Sequence, residues 1–423
     1  MTATLIRDAI LIDPEGGTAE AGDLALEGGL VAAVGPRAAA GRFDAVVEAR
    51  GLHLAPGLVD LGVKVSEPGE RHKESFRTAS EAAAAGGVTT LVTRPDTDPP
   101  IDAPEALEYV RRRAAETARV RVAPMAALTR GREGRQMTEM AFLRDAGAVA
   151  LTDGDAVAAD ARVLSRCLAY AASLGMLVIG HVQEPTLSAG ASATSGRFAT
   201  LRGLSGVSPM AERIGLERDL ALVEMTGARW HADQVTTAAA LPALERAKAA
   251  GLDVTAGTSI HHATLNALDV ADWRTFFKVK PPLRDEDDRQ AVVEALRTGL
   301  IDTLSSYHTP QDEESKRLPF ETAASGAVGL ETLLPAALRL HHTEGLSLPT
   351  LWRALSLNPA RRLGLPGGRL APGAPADLVL FDAHAPFVLD RFGLRSKSKN
   401  TPFDGARMQG RVRATWVGGE RVF

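Results

Sequence analysis

The sequence predicts an α/β fold: a TIM-like (β/α)8 barrel with a small β-sandwich domain built from both termini. Three observations carry this. Residues 1–54 read as short strands broken by turns, the middle of the chain alternates strand with amphipathic helix about eight times, and the last residues return to strand patterning. The division expected is a composite β-domain of 1–54 and 366–423 beside a barrel of 55–365.

In the N-terminal part, Leu5–Ile12 is an apolar run closed by the turn Asp13-Pro14-Glu15-Gly16-Gly17, and Gly28-Gly29 separates Leu24–Leu26 from Leu30–Val34. The candidate barrel strands follow in order: Leu58–Val65, Thr89–Thr93, Val120–Ala126, Ala148–Thr152, Leu177–His181, Arg229–Ala232, Asp253–Ala256 and Thr303–Ser306. Helical runs between them include Ser75–Ala85, Pro104–Ala118, Met137–Asp145, Ala159–Ser173 and Thr237–Ala250. Proline at the start of the second suits a first helical position, whose N–H has no partner within the helix. Alternating units of this length form a parallel sheet with helices outside, and eight of them close into a barrel. Ala376–Asp382 and Arg411–Val417 supply the returning strands.

With 423 residues, 45% hydrophobic and 24% charged, the chain can bury a large core. A net charge of −4 without blocks of like charge gives no electrostatic support to nucleic-acid or membrane-surface binding. Apolar stretches such as Met176–Ile179 are far too short to span a bilayer. The N-terminus shows no secretory pattern, so the cytoplasm is the compartment expected. The single cysteine, Cys167, excludes an internal disulfide and reads as a small core residue within a helix.

Chemistry in such a barrel sits at the C-terminal ends of the strands. There the chain carries Pro56-Gly57-Leu58-Val59-Asp60, Glu67-Pro68-Gly69, His72-Lys73-Glu74 and Ala84-Ala85-Gly86-Gly87-Val88-Thr89-Thr90. Lys278-Val279-Lys280-Pro281-Pro282-Leu283-Arg284, Val328-Gly329-Leu330-Glu331-Thr332, Asn358-Pro359-Ala360 and Ser396–Phe403 follow. In this ordered set the chain resembles the dihydroorotase branch of the cyclic amidohydrolases along essentially its whole length. The resemblance implies an amidohydrolase-type barrel, one or two zinc ions that activate water, and an aspartate that moves the proton.

The family's ligand pattern is His-x-His on the first strand, a carboxylate after the fourth, and single histidines after the fifth and sixth. Alternate strand residues share a face, so His-x-His can grip one ion. Here those positions hold Gly62, Lys64, Asp153, His181 and Gln234, of which only Asp153 and His181 are ligand-competent. The catalytic aspartate position holds Tyr307, followed by His308. Positions that would hold substrate carry Ser66, Asp96 and Lys280 in place of an arginine and two asparagines. Neither a catalytic residue nor a metal ligand set is therefore expected, and no cofactor. The vestigial pocket comprises Lys64, Ser66, Asp96, Asp153, His181, His231, Gln234, Lys280, Tyr307 and His308.

Other histidines offer alternatives. A site rebuilt from Asp153, His181, His231 and Asp233 is conceivable, against relic histidines hydrogen-bonded in a polar pocket. His261 and His262 are adjacent and poorly placed to share an ion, His341 and His342 lie on an outer helix, and His53, His72 and His384 read as loop or surface residues. A bare ammonium at the barrel mouth is costly, so Lys64 is expected to pair with Asp153 in place of the zinc charge, or else to snorkel to solvent.

The resemblance is nearest to metal-ligand-deficient dihydroorotase homologues that associate with aspartate carbamoyltransferase. It implies a non-catalytic, oligomeric protein of pyrimidine biosynthesis with that enzyme as structural partner. The alternative is an active but divergent dihydroorotase or other cyclic amidohydrolase, with zinc only in that case, or a metal-free catalyst using Lys64, Tyr307 and His308.

Overall fold

A computed structural model describes residues 3–423. Eight parallel strands form the barrel: Leu58–Val63, Val88–Thr93, Arg121–Pro124, Leu151–Thr152, Leu177–His181, Arg229–Asp233, Val254–Ser259 and Thr303–Ser305. Parallel ladders join the first three and the last five. A bridge from Ala126 to Leu151 links the two groups. The ring closes where Leu61 N–H donates to Ser305 Oγ at 3.3 Å and Ser306 N–H to Asp60 Oδ1 at 2.7 Å. All eight strands fall where the sequence places them, with ends shifted by a few residues.

The helices form for local reasons that also fix their faces. Ser75 caps Phe76–Ala85 through a capping box with Thr78, and Phe76, Ala79, Ala82 and Ala83 recur at helical spacing on its buried side. Gly86 ends it where backbone passes so close that a Cβ would lie 2.0 Å from the Leu330 carbonyl oxygen. Glu286–Thr298 opens on Glu286, Asp287 and Asp288 and closes on Arg297 and left-handed Gly299, in line with the helix dipole.

Two helices start three or more residues later than the sequence predicts. Met137 is bridged to Thr129, so that helix spans Met140–Asp145. Thr236 and Thr237 give their N–H groups to the buried Glu212 carboxylate at 2.7 and 2.8 Å, which holds them out of the helix Leu241–Ala249. The helix carrying Glu212, Met210–Thr226, is not among the runs named above.

Strands from both ends of the chain share one eight-stranded sheet, in the order Glu420–Arg421, Arg407–Val417, Leu378–Val388, His53–Pro56, Thr4–Asp13, Thr18–Glu27 and Leu30–Val34, with Ala45–Glu48 also paired to Thr4–Asp13. Ile6, Leu24, Leu54, Leu378 and Trp416 form its own buried cluster. Trp352 fastens it to the barrel: its indole N–H donates to the Pro56 carbonyl at 2.9 Å and its ring stacks on Phe381 at 5.0 Å. His53, expected at the surface, is buried in this sheet against Phe381, because the apolar strand His53–Pro56 lies between two others.

Candidate active site

Gly62 and Lys64 sit at the end of the first barrel strand, as the sequence requires. Gly62 has φ +84°, and a Cβ there would come within 2.9 Å of the Tyr307 ring. Tyr307, from the end of the eighth strand, has φ +47° and is 95% buried. Its hydroxyl donates a hydrogen bond to Asp233 on the sixth strand. The phenol thus fills space beside Gly62 and spans towards Asp233. Burial, with Asp233 beside it, holds the phenol well above its ordinary pKa, so it is a donor and not a base. Burial also raises the Asp233 carboxyl to about 6, in spite of the Tyr307 hydrogen bond that opposes the rise.

Asp153 is closed off differently from expectation. Its oxygens accept from Thr129 N–H at 3.0 Å and Thr129 Oγ1 at 2.6 Å, and burial raises its pKa. The expected Lys64–Asp153 pair is therefore corrected. The Lys64 ammonium lies 3.5 Å from Asp96 Oδ2 and 3.8 Å from Glu70 Oε2, with its side chain 17% exposed. Nor does it snorkel freely to solvent. Asp96 in turn receives both Nε and Nη2 of Arg94, at 3.2 and 2.6 Å. The backbone N–H and hydroxyl of Thr129 satisfy Asp153 without a charge, and the ammonium joins Asp96 and Glu70, which are also paired with Arg94 and Lys73.

A second charged group lies alongside. Asp155 accepts from Arg132 Nη2 at 2.8 Å and sits 3.3 Å from Lys280 Nζ. Arg94, Lys280 and Arg132 together hold its carboxyl far below the usual range, against the effect of burial. Arg94, Arg132 and Asp155 escaped sequence reasoning, although the Asp153-Gly154-Asp155 spacing and the Arg94-Pro95-Asp96 turn were available signals.

The histidines do not converge. His181 is buried with both ring nitrogens lacking a hydrogen-bond partner, and burial, aided by Lys280, pushes it down to about 3. His231 Nδ1 lies 2.8 Å from Thr255 Oγ1, its Nε2 has no partner, and burial pushes it down to about 3. His262 is spanned by Ser259 Oγ and the Pro281 carbonyl, while His261 stacks on Phe403 at 5.9 Å. His308 accepts from Gly329 N–H at 3.2 Å, and its Nε2 faces Glu74 at 3.4 Å. Lys64, Tyr307 and His308 thus have separate partners and form no relay. The Ser66 hydroxyl is buried without a partner, and Gln234 is buried at φ +54°.

These donors do not fit the zinc that the resemblance implies. Among the described residues no three His, Cys, Asp or Glu side chains are grouped to hold one ion. Asp153 is engaged by Thr129 and Asp233 by Tyr307, so the rebuilt set of Asp153, His181, His231 and Asp233 does not assemble. Beside Tyr307, Arg94 and Lys280 the free space is only about 40 Å³, room for about one water. A cleft of about 410 Å³ opens to one side, lined by His181, Lys280 and Pro282 among others.

A closed barrel joined to a β-sandwich domain, with its polar residues gathered at the strand ends, defines the amidohydrolase class. Comparison with known proteins agrees. The L-hydantoinase (dihydropyrimidinase) of Arthrobacter aurescens superposes with a TM-score of 0.90 at 26% identity, covering 100% of this chain and 96% of that one. The dihydropyrimidinase of Brevibacillus agri, at 22% identity, shares the fold with a TM-score of 0.86 over 99% of this chain and 95% of its own. A family model described as dihydro-orotase-like matches residues 51–239. A dihydroorotase-like protein of Pseudomonas aeruginosa is 40% identical over 98% of both chains. The dihydroorotase of a Drosophila simulans Wolbachia is 38% identical over 98% of this chain and 94% of its own. The chain belongs to the dihydroorotase-like family.

Proposed function

We propose that this chain is a non-catalytic dihydroorotase-like protein that carries no zinc and serves pyrimidine biosynthesis as a structural partner of aspartate carbamoyltransferase. The observation that supports it most is Tyr307: the residue at the family's base position lies against Gly62 and is bonded to Asp233, where a metal and its water would need room. The engaged state of Asp153 adds to it. A barrel retained in full without a working ligand set points to its surfaces as what the cell uses. The alternative of a divergent cyclic amidohydrolase makes the opposite predictions.

Metal analysis of the purified chain should give less than a tenth of an equivalent of zinc, and dihydroorotase assays in both directions should show no turnover. One or two tightly held zinc ions, or turnover lost with Asp153→Asn, would overturn the non-catalytic reading. Co-expression with the transferase of the same genome should give one peak on size exclusion, and two separate peaks would remove the partner.

A further inference from the structure

Away from the barrel mouth, the helix Leu333–Glu344 and the hairpin formed by Leu378–Val388 and Arg407–Val417 enclose a groove of about 670 Å³. Its floor and lip are apolar: Pro335, Pro386, Phe387, Val388, Phe403 and Met408. Val388, on its lip, is 62% exposed. Large apolar side chains left in water at a concave site mark a binding surface more often than scattered exposure does.

The charges around this groove have one sign. Arg339 and Arg407 line it, and Arg411 lies over the Phe387 ring at 4.8 Å on the adjoining side. Arg395, nearby, lies over Phe423 at 4.8 Å. All four are exposed, and among the described residues none has a carboxylate within 4.0 Å. Elsewhere on the same hairpin Arg413 is paired, with Asp382 at 3.2 Å. The acids Glu331 and Asp390 line an adjoining hollow with Arg395 and Arg411 and not this groove; Glu331 accepts there from the backbone N–H groups of Arg395 and Ser396, and Asp390 from that of Phe392. The strand edge from Asp382 to Val388 has no strand partner among the described residues on the side away from Arg407–Val417: the pairing with His53–Pro56 stops at Phe381, and beyond it His342 Nε2 lies 3.0 Å from the Ala383 carbonyl.

From this conjunction we infer that the groove is a docking site for an acidic segment of a partner protein, one that seats aliphatic or aromatic side chains between the helix and the hairpin and pairs its carboxylates with Arg339 and Arg407. Apolar anchors supply the buried contact, and arginine is the cation best suited to carboxylate pairing at an interface. The site is independent of the barrel mouth and of whether the chain catalyses.

Fluorescence anisotropy tests it with three labelled 15-residue peptides: one alternating Glu or Asp with Leu and Phe, one with Lys replacing the acids, and one with Ser replacing Leu and Phe. The acidic amphipathic peptide should bind at least tenfold more tightly than either control, and weaken as salt rises. Arg339→Glu with Arg407→Glu should weaken it at least tenfold, and Val388→Asp should weaken it with both arginines intact. Thermal melts serve as the fold control, since these side chains are exposed and unpaired. Equal binding of the three peptides, or no effect of either variant, would overturn the proposal. So would two other outcomes: preferential flotation with phosphatidylserine vesicles, or self-association in sedimentation that the arginine reversal abolishes.

Discussion

Tyr307 shows how one side chain can take over a site. Its hydroxyl satisfies Asp233, and its ring occupies the side of Gly62 where a histidine would have to project. Tyr307→Phe would leave the buried Asp233 carboxyl without that donor, and a loss of about 1–3 kcal/mol is expected in urea unfolding. Gly62→His with Lys64→His should not recover zinc binding while Tyr307 remains, because the new side chain meets the ring and the backbone there has φ +84°; titration against a chelating dye reads this directly. That Gly62, Lys64, Gln234 and Tyr307 stand at the family's ligand and base positions is a reading of the resemblance, for Gly62 and Lys64 from the matched run Pro56–Asp60 just before them. The partner of Asp153 was not legible in the sequence. Thr129 belongs to a loop after the third strand, and no spacing rule brings a hydroxyl there to a carboxylate on the fourth.

Between elements, the loops after the first two strands are joined by charge. Arg94 makes two hydrogen bonds to Asp96, whereas Lys64 approaches Asp96 and Glu70 only at ion-pair distance. Arg94→Met leaves the buried Asp96 carboxylate with only the loose Lys64 contact and should cost about 3 kcal/mol. Lys64→Met leaves the Arg94 pair standing and should cost about 1 kcal/mol or less, as a loose, partly exposed ion pair does. Adding Asp153→Asn to Lys64→Met should not rescue it, since the two residues share no partner and their effects add. A double-mutant cycle in denaturant separates these outcomes. Helix positions were legible from period and capping, as with Ser75 and Phe76–Ala85. Where they were not, a distant group had claimed the backbone: Glu212 binds Thr236 and Thr237 from another helix.

For the whole molecule, proton linkage follows from what the barrel buries. Burial pushes His181, His231 and His262 down to about 3 and His261 to about 4. Unfolded, they titrate near pH 6.5, so over about pH 3 to 6.5 the unfolded chain binds more protons and stability rises with pH. Asp60, Asp219 and Asp233, raised to about 6 by burial, act in the opposite sense. Between about pH 4 and 6 they keep a proton in the folded chain that the unfolded chain has lost. Asp153, Asp288 and Glu331, also raised by burial, act with these carboxyls, and His53, lowered by burial, acts with the imidazoles, whose wider interval sets the net sign. The Tm is expected to climb between pH 4.5 and 6.5, with net proton uptake on unfolding at pH 5. A flat or falling Tm would contradict this balance. The barrel itself was the most legible feature, because eight buried parallel strands separated by amphipathic helices leave few other ways to cover both faces of a sheet.

The sheet shared by the two chain ends has a consequence for synthesis. Thr4–Asp13 and His53–Pro56 leave the ribosome first, yet Leu378–Val388, which completes their ladder, emerges only after the entire barrel. At roughly 5–20 residues per second the early strands wait some tens of seconds with Leu54 and Ile6 uncovered and an edge unpaired. Nascent chains stalled before Leu378 should therefore hold a protease-resistant barrel and a cleavable N-terminus, and chaperones that mask strand edges should engage this segment until translation ends.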